Sequence, residues 1–462
     1  MNNIKLLIIL SVSICFAITT MDTAMIAIAL PTIGKEINFH SLSIEWLINS
    51  YILTIAAFGL ISGKLSDIYN PKNIIIFGLI ILMLASLGCF SSLNYFELII
   101  FRAIQGFASV LLVAPSIKLL SEIFNRKELS KVMGITSGLG ALGLIIAPFL
   151  SGKIIDYLGW RYIFLVNIPL SIIALICLLK TQNKYTPKKV TIDALGFVYL
   201  SIFLFSFVLI IMEPHLYSWM PVVFYSVIFA LFASLIFFIA REKNAEYPIL
   251  EFKIFKNSKF VIANIISVLV QAQSMSAIFW IMYMQIFLHF NPDTTGYLIM
   301  PLYILIASCG FLSGFIIHRK KAFIPLLSAS VIIFLGYFIS LILLPLKNYL
   351  SLLPMIIGTG ISLPIFLNAL RFIAIESTNK DNVGLAIGVL GNVRQISGAI
   401  SLAIWGSILS SYSTSKNITY TIDGKSEGFY YGFYSIISLS TLICFFILSL
   451  SLMLYIFNKE KS

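Results

Sequence analysis

The stretch VMGITSGLGALGLIIAPFLSG, Val132 to Gly152, decides the fold. From Val132 to Leu150 it carries no formal charge, and as a helix rising 1.5 Å per residue it is long enough to cross the hydrocarbon core of a bilayer. Gly134, Gly143 and Gly152 leave out side-chain bulk at spaced points, which lets the helix lie close to a neighbour. Pro148 removes a backbone donor and bends the helix, a defect that neighbouring helices must accommodate in lipid. Residues 132–152 therefore read as one packed membrane helix among several.

Working outward, the same reading finds fourteen apolar stretches that together fill nearly all of the 462 residues. Six lie in 1–180, two in 181–259 and six in 260–462, the second of them running from Ile44 to Ser62. The first is too long for a secretory leader and ends in ALPTI without a small-residue cleavage site, so it is expected to stay in the chain. Composition agrees: 59% hydrophobic and 11% charged residues, against about 25% charged in soluble domains, leave too little polar surface for a water-soluble fold. The net charge of +12 comes from residues dispersed over short connections, not from a face that could follow nucleic acid. Five cysteines sit in apolar stretches without CxxC spacing and read as packing residues, with no metal framework.

Sidedness follows from Lys and Arg. With the amino terminus inside, 23 of the 31 basic residues fall on the cytoplasmic side and six on the other, while Arg102 and Arg394 lie within spans. This asymmetry places both termini in the cytoplasm. The basic stretches Lys180–Asp193 and Arg241–Lys259 bracket the middle pair, and neither is large enough to form a nucleotide-binding domain. No GxxxxGK[ST] phosphate loop occurs. With no ATPase, cofactor motif, clustered histidines or paired carboxylates, the chain reads as a non-enzyme driven by an ion gradient.

Function is sought at charges inside the spans, because a buried charge is retained only where it meets a partner or water. Three lie deep: Asp22, Arg102 and Arg394. Asp22 is the only acidic residue among them, and a lone carboxyl group in an apolar setting can serve as a proton-exchanging group. Arg102 and Gln105, three residues apart, share a helix face. A structural ion pair between Asp22 and Arg102 is compatible with a proton role, since a pair that opens on protonation couples the two events. The alternative for Arg102 is a side chain that reaches back to the outer surface.

Several segments resemble the major facilitator superfamily, and in particular its fourteen-span drug:proton antiporters. GKLSDIYNPK, Gly63 to Lys72, resembles the superfamily's loop signature through Gly63 and Asp67, although Ile68, Asn70 and Pro71 depart from it. LIIFRAIQG supplies the fourth-helix motif with Arg102, Gln105 and Gly106. Gly134, Gly143, Pro148 and Gly152 match the fifth-helix antiporter motif, with Ala147 and Ser151 at its remaining glycine positions. MDTAMIAIALP resembles the first-helix signature, keeping Asp22 and the ALP ending. GWRYIFLVNIP (159–169), IDALGF (192–197), PILEFKIFKNSKF (248–260) and GNVRQISGAI (391–400) extend the likeness over essentially the whole chain. In the second half, Gly314 and His318 stand where a degenerate copy of the loop motif would fall.

The resemblance implies an all-α integral membrane protein with fourteen helices arranged six, two, six: an amino-terminal bundle at 1–180, two extra helices with flanking loops at 181–259, and a carboxy-terminal bundle at 260–462. It implies proton-coupled efflux of lipophilic or cationic small molecules by alternating access, with no cofactor beyond the proton gradient. Asp22, Arg102 and Gln105 would couple proton and substrate, while Gly63, Asp67, Gly134, Gly143, Pro148 and Gly152 would serve the conformational change. Trp280, Tyr283, Arg394 and Gln395 are candidate cavity-lining residues. The expected partners are a small-molecule substrate, protons and the lipid of a bacterial cytoplasmic membrane, with no nucleic acid, and the monomer is expected to function alone. Two arginines against one aspartate keep open a transporter of an anionic metabolite, siderophore or peptide. A nontransporting membrane sensor or scaffold is the remote alternative.

Overall fold

The computed structural model describes residues 3–37, 44–181, 194–213, 220–244, 255, 257–320, 322–378, 383–414 and 427–459. Among the described residues the secondary structure is helical, with no strand. The chain forms two compact units, Met1–Ile249 and Leu250–Ser462.

Unit 1 contains α1 (Asn3–Glu36), α2 (Trp46–Ile68), α3 (Pro71–Ser91), α4 (Tyr95–Ile123), α5 (Arg126–Leu158), α6 (Asn167–Leu179), α7 (Ala194–Met212) and α8 (Pro221–Asn244). Asparagine sets several starts by accepting a bond from an otherwise unpaired helix N–H. Asn70 caps α3 through Lys72 N at 3.0 Å with Pro71 in the first turn, Asn94 caps α4 through Glu97 N at 2.9 Å, and Asn125 caps α5 through Glu128 N at 2.9 Å. The Asn-Pro pair that breaks the loop signature is thus the cap and first residue of α3. Helix α2 continues to Ile68, so Gly63 and Asp67 sit on its final turns and not in a connection. Their side-chain surroundings lie outside the described residues, as do those of Gly314 and His318.

Thirteen helices are long and apolar enough to cross a membrane among the described residues, and α2 adds a shorter apolar run, Trp46–Gly59. The expected count of fourteen spans thus meets thirteen full-length candidates and one shorter run. The outward faces suit lipid: α8 exposes Val222, Tyr225, Phe229, Phe232 and Ile236, a stripe that water would not tolerate. Helix α7 docks on α2, where the Trp46 indole donates to Glu213 Oε1 at 3.0 Å and the Trp46 and Phe205 rings lie 6.2 Å apart. Tyr199 of α7 stacks on Phe237 of α8 at 5.5 Å.

Unit 2 begins with α9 (Ser258–Met275), which resumes as Ala277–Met282 and closes in a π-helical turn, Tyr283–Phe287. It continues through α10 (Pro292–Lys320), α11 (Phe323–Leu343), α12 (Leu353–Glu376), α13 (Val383–Thr414) and α14 (Glu427–Lys459). At the break in α9 a buried polar group forms: Gln273 Nε2 donates to Tyr337 OH and, at 3.2 Å, to Thr359 Oγ1, and Ser276 Oγ bonds Tyr337 OH at 2.8 Å. Hydrogen bonding of this kind makes a broken helix tolerable at membrane depth.

Candidate functional site

Five helices of unit 1 bring one polar cluster together. Asp22 comes from the interior of α1, Arg102 and Gln105 from α4, Ser86 and Cys89 from α3, Asn167 from the first turn of α6, and Tyr51 from α2. The Arg102 Nη1 donates to Asp22 Oδ2 at 2.5 Å and to Gln105 Oε1 at 2.9 Å, and its Nε donates to the Leu47 carbonyl at 3.0 Å. The other Asp22 oxygen accepts from Asn167 Nδ2 at 3.1 Å. Gln105 Nε2 donates to Ser86 Oγ at 2.9 Å, and Cys89 Sγ reaches Gln105 Oε1 at 3.4 Å. The Arg102 guanidinium lies over the Tyr51 ring at 4.6 Å, and Tyr51 OH bonds Ser109 at 2.8 Å.

Burial decides what Arg102 does. Its exposure is 0% and that of Asp22 is 6%, so the arginine does not reach back to the surface. Helix α4 begins at Tyr95, which places Arg102 seven residues, about 10 Å, inside it. Charge is balanced at Asp22 and Arg102, but donors are not: Arg102 Nη2 is enclosed without a partner. An enclosed donor of that kind makes the site sensitive to any change in the acceptors around it.

The fifth-helix positions do not share one environment. Gly143 faces α1, where an added Cβ would stand 3.0 Å from Ala17 Cβ and 3.0 Å from Met21 Cγ, next to Asp22. Gly140 meets the same helix at Phe16, and its carbonyl accepts from Thr20 Oγ1 at 3.2 Å. Pro148 and Gly152 are buried, and Ser151 Oγ returns to the Pro148 carbonyl at 3.1 Å. Gly134 is exposed with open space where a Cβ would go. Gly106 is tighter than Gly143, since a Cβ there would meet the Tyr51 carbonyl oxygen at 2.5 Å.

In unit 2 the candidate lining residues separate. Trp280 and Tyr283 are fully buried, Trp280 beside Tyr337 at 6.0 Å and Tyr283 stacked on Phe433 at 4.4 Å, and both keep an enclosed polar atom without a partner. Arg394 and Gln395 are half-buried on α13. Sequence reasoning passed over Ser86, Asn167 and Tyr51. Asn167 carried a readable signal, a lone amide in the apolar run FLVNIP, whereas Ser86 and Tyr51 are common residue types in a helix and signal nothing until α3 and α2 are placed. Among the described residues no group of three or more His, Cys, Asp or Glu could hold a metal ion.

The sequence pattern of the Major Facilitator Superfamily matches residues 12–402. The chain belongs to that superfamily. It is 30% identical over 426 residues to the uncharacterized MFS-type transporter YvkA of Bacillus subtilis (strain 168), covering 90% of this chain and 93% of the relative. It is 26% identical over 419 residues to the multidrug transporter protein MdtP of the same organism, covering 88% and 76%. The fold is shared with the crystal structure of a bacterial homolog of the human lysosomal transporter Spinster, at TM-score 0.71 and 13% identity over 98% of this chain and 97% of that one. The protein is therefore a multi-pass transporter of the bacterial cytoplasmic membrane and not an enzyme.

Proposed function

We propose that this superfamily member is a proton-coupled antiporter of the multidrug type, exporting lipophilic small molecules, cationic ones included, by alternating access. The observation that carries this reading is the Asp22–Arg102 pair, two opposite charges buried across α1 and α4 with a network of neutral donors around them. Support also comes from relatives named as multidrug transporters. In this reading Asp22 takes the proton. Protonation removes the charge that holds Arg102, and the guanidinium must then rely on Gln105, the Leu47 carbonyl and the Tyr51 ring. Helix α1 carries the change to α5 at Gly140 and Gly143, where an added Cβ would press on Phe16, Ala17 and Met21. Gln105 and Asn167 serve as positioning residues for the pair.

The test is substrate flux in proteoliposomes with and without an imposed pH gradient. Asp22→Asn holds the site in a neutral, proton-like state, so accumulation driven by the gradient is lost while downhill exchange persists. A variant that still responds fully to the gradient makes the pair structural and places proton exchange elsewhere.

A further inference from the structure

The segment GWRYIFLVN, Gly159 to Asn167, joins α5 to α6, and only its last residue belongs to the Asp22 site. Gly159 ends α5 at φ +99°, a backbone conformation essentially reserved for glycine, and its N–H donates to the Ile154 and Ile155 carbonyls at 3.0 and 3.1 Å. Trp160 to Val166 then form a seven-residue 3-10 helix that runs straight into Asn167. Runs of that geometry longer than three or four residues are uncommon, because their hydrogen bonds are poorer, so this one needs holding from outside. As an α-helix the same residues would span about 10.5 Å instead of about 14 Å. That change is as large as the 3.1 Å bond from Asn167 Nδ2 to Asp22 Oδ1, so the state of the run decides whether the bond is made.

The hold comes from α1. Trp160 is 1% exposed, and its indole donates at 2.7 Å to an oxygen of Glu36, the last residue of the helix that carries Asp22. The two elements are thus bonded twice, at Glu36–Trp160 and at Asp22–Asn167, roughly 21 Å apart along α1. Tyr162 meets Phe90 of α3 edge-on at 5.3 Å and Trp160 meets Phe164 at 6.3 Å, so rings brace the run while Glu36 fixes its first residue against α1. Arg161 Nη1 reaches the same Glu36 oxygen at 3.4 Å from the exposed side, where solvent screens it.

We propose that Glu36 and Trp160 are positioning residues for the proton site: their bond holds the 3-10 run extended and so keeps the Asn167 amide on Asp22. The proposal rests on the reading of Asp22 as the proton-exchanging group and extends it to the far end of α1. Asn167 donates to the ionised carboxylate, so loosening the clamp favours the protonated form. Loss of the Glu36 charge acting through space would favour the ionised form, so the two routes differ in sign. The ionisable groups that neighbouring helices bring to the site are Arg102, Tyr51 and Cys89, and the clamp variants leave all three in place.

The experiment is proton uptake by the full chain in unbuffered dodecyl maltoside after small pH steps, read as the difference between each protein and the same protein carrying Asp22→Asn. Glu36→Ala and Trp160→Phe are each expected to move the half-point of uptake to higher pH by about one pH unit, and the two together by no more than either alone. The Glu36 side chain is 51% exposed, so its truncation leaves the core intact. Glu36→Gln keeps an oxygen for the indole and is expected to hold the wild-type half-point. Asn167→Ala is expected to give the same upward shift and to leave Glu36→Ala nothing to add. An unchanged or lowered half-point in Glu36→Ala overturns the proposal, and so does an equal shift in Glu36→Gln. A Glu36→Ala shift that persists in full on top of Asn167→Ala overturns it too, since Glu36 would then act by another route. No difference between the wild type and Asp22→Asn sinks the proton reading itself, and the clamp with it, before any clamp variant is compared.

Discussion

Asp22 and Arg102 stabilise each other only as a pair. Removing one partner of a buried ion pair leaves an uncompensated charge and costs about 3–5 kcal/mol, whereas replacing both by neutral groups costs far less. Asp22→Asn and Arg102→Gln should each lower the unfolding temperature in detergent, and the double variant should recover most of that loss; additive losses would show that the two do not interact. The double variant should also bind substrate yet ignore a pH gradient, which separates a folding defect from lost coupling. At α5 the structure divides residues that the motif groups together. Gly143→Leu forces bulk against Ala17 and Met21 beside Asp22 and should abolish transport in an inserted protein, while Gly134→Leu enters open space and should transport at close to the wild-type rate. Equal activity of both variants would return Gly143 to ordinary packing. Residue chemistry was legible in the sequence where it was rare: one acidic residue and two arginines within spans stand out against 59% hydrophobic composition. Ser86 and Tyr51 were not legible, because their role comes from neighbours on other helices.

Helix boundaries follow local rules that the sequence states openly, as the asparagine caps of α3, α4 and α5 show. Asn94→Ala should cost about 1 kcal/mol, the usual loss for an N-cap, and should fray the start of α4, two turns before Arg102. Amide exchange at Tyr95–Glu97 checks this: unchanged protection there would show that packing, not the cap, holds the turn. The docking of α7 on α2 was not readable in advance. Trp46, Phe205 and Glu213 are 167 residues apart at the extremes, and nothing in their local patterns marks them as partners. The break in α9 at Ser276 was equally hidden, because no proline or glycine announces it in QAQSMSAIFW. Its polar partners Tyr337 and Thr359 come from α11 and α12.

At the scale of the whole molecule, the apolar runs carried the all-helical membrane architecture, because lipid forces backbone groups into helices, whereas the superfamily was legible only through the resemblance of its motifs. What pattern alone did not supply is the internal pairing of those helices, since a membrane helix with apolar residues all round does not declare which side meets protein. Sidedness remains the property most directly open to measurement. Lys35, Lys180 and Lys347 are exposed and lie at helix ends. Four of the five native cysteines are buried and Cys309 is half-buried, so background thiol labelling should be low. In intact cells an impermeant maleimide should label Lys35→Cys and Lys347→Cys but not Lys180→Cys, which should react only after the membrane is opened. These sites sample the last turn of α1, the end of α6 and the turn between α11 and α12, so that five helices separate Lys180 from each of the other two. Labelling of Lys180→Cys and Lys35→Cys from the same face would mean an odd number of crossings has been misjudged between them. It would place the amino-terminal half of the charge asymmetry on the wrong side of the membrane.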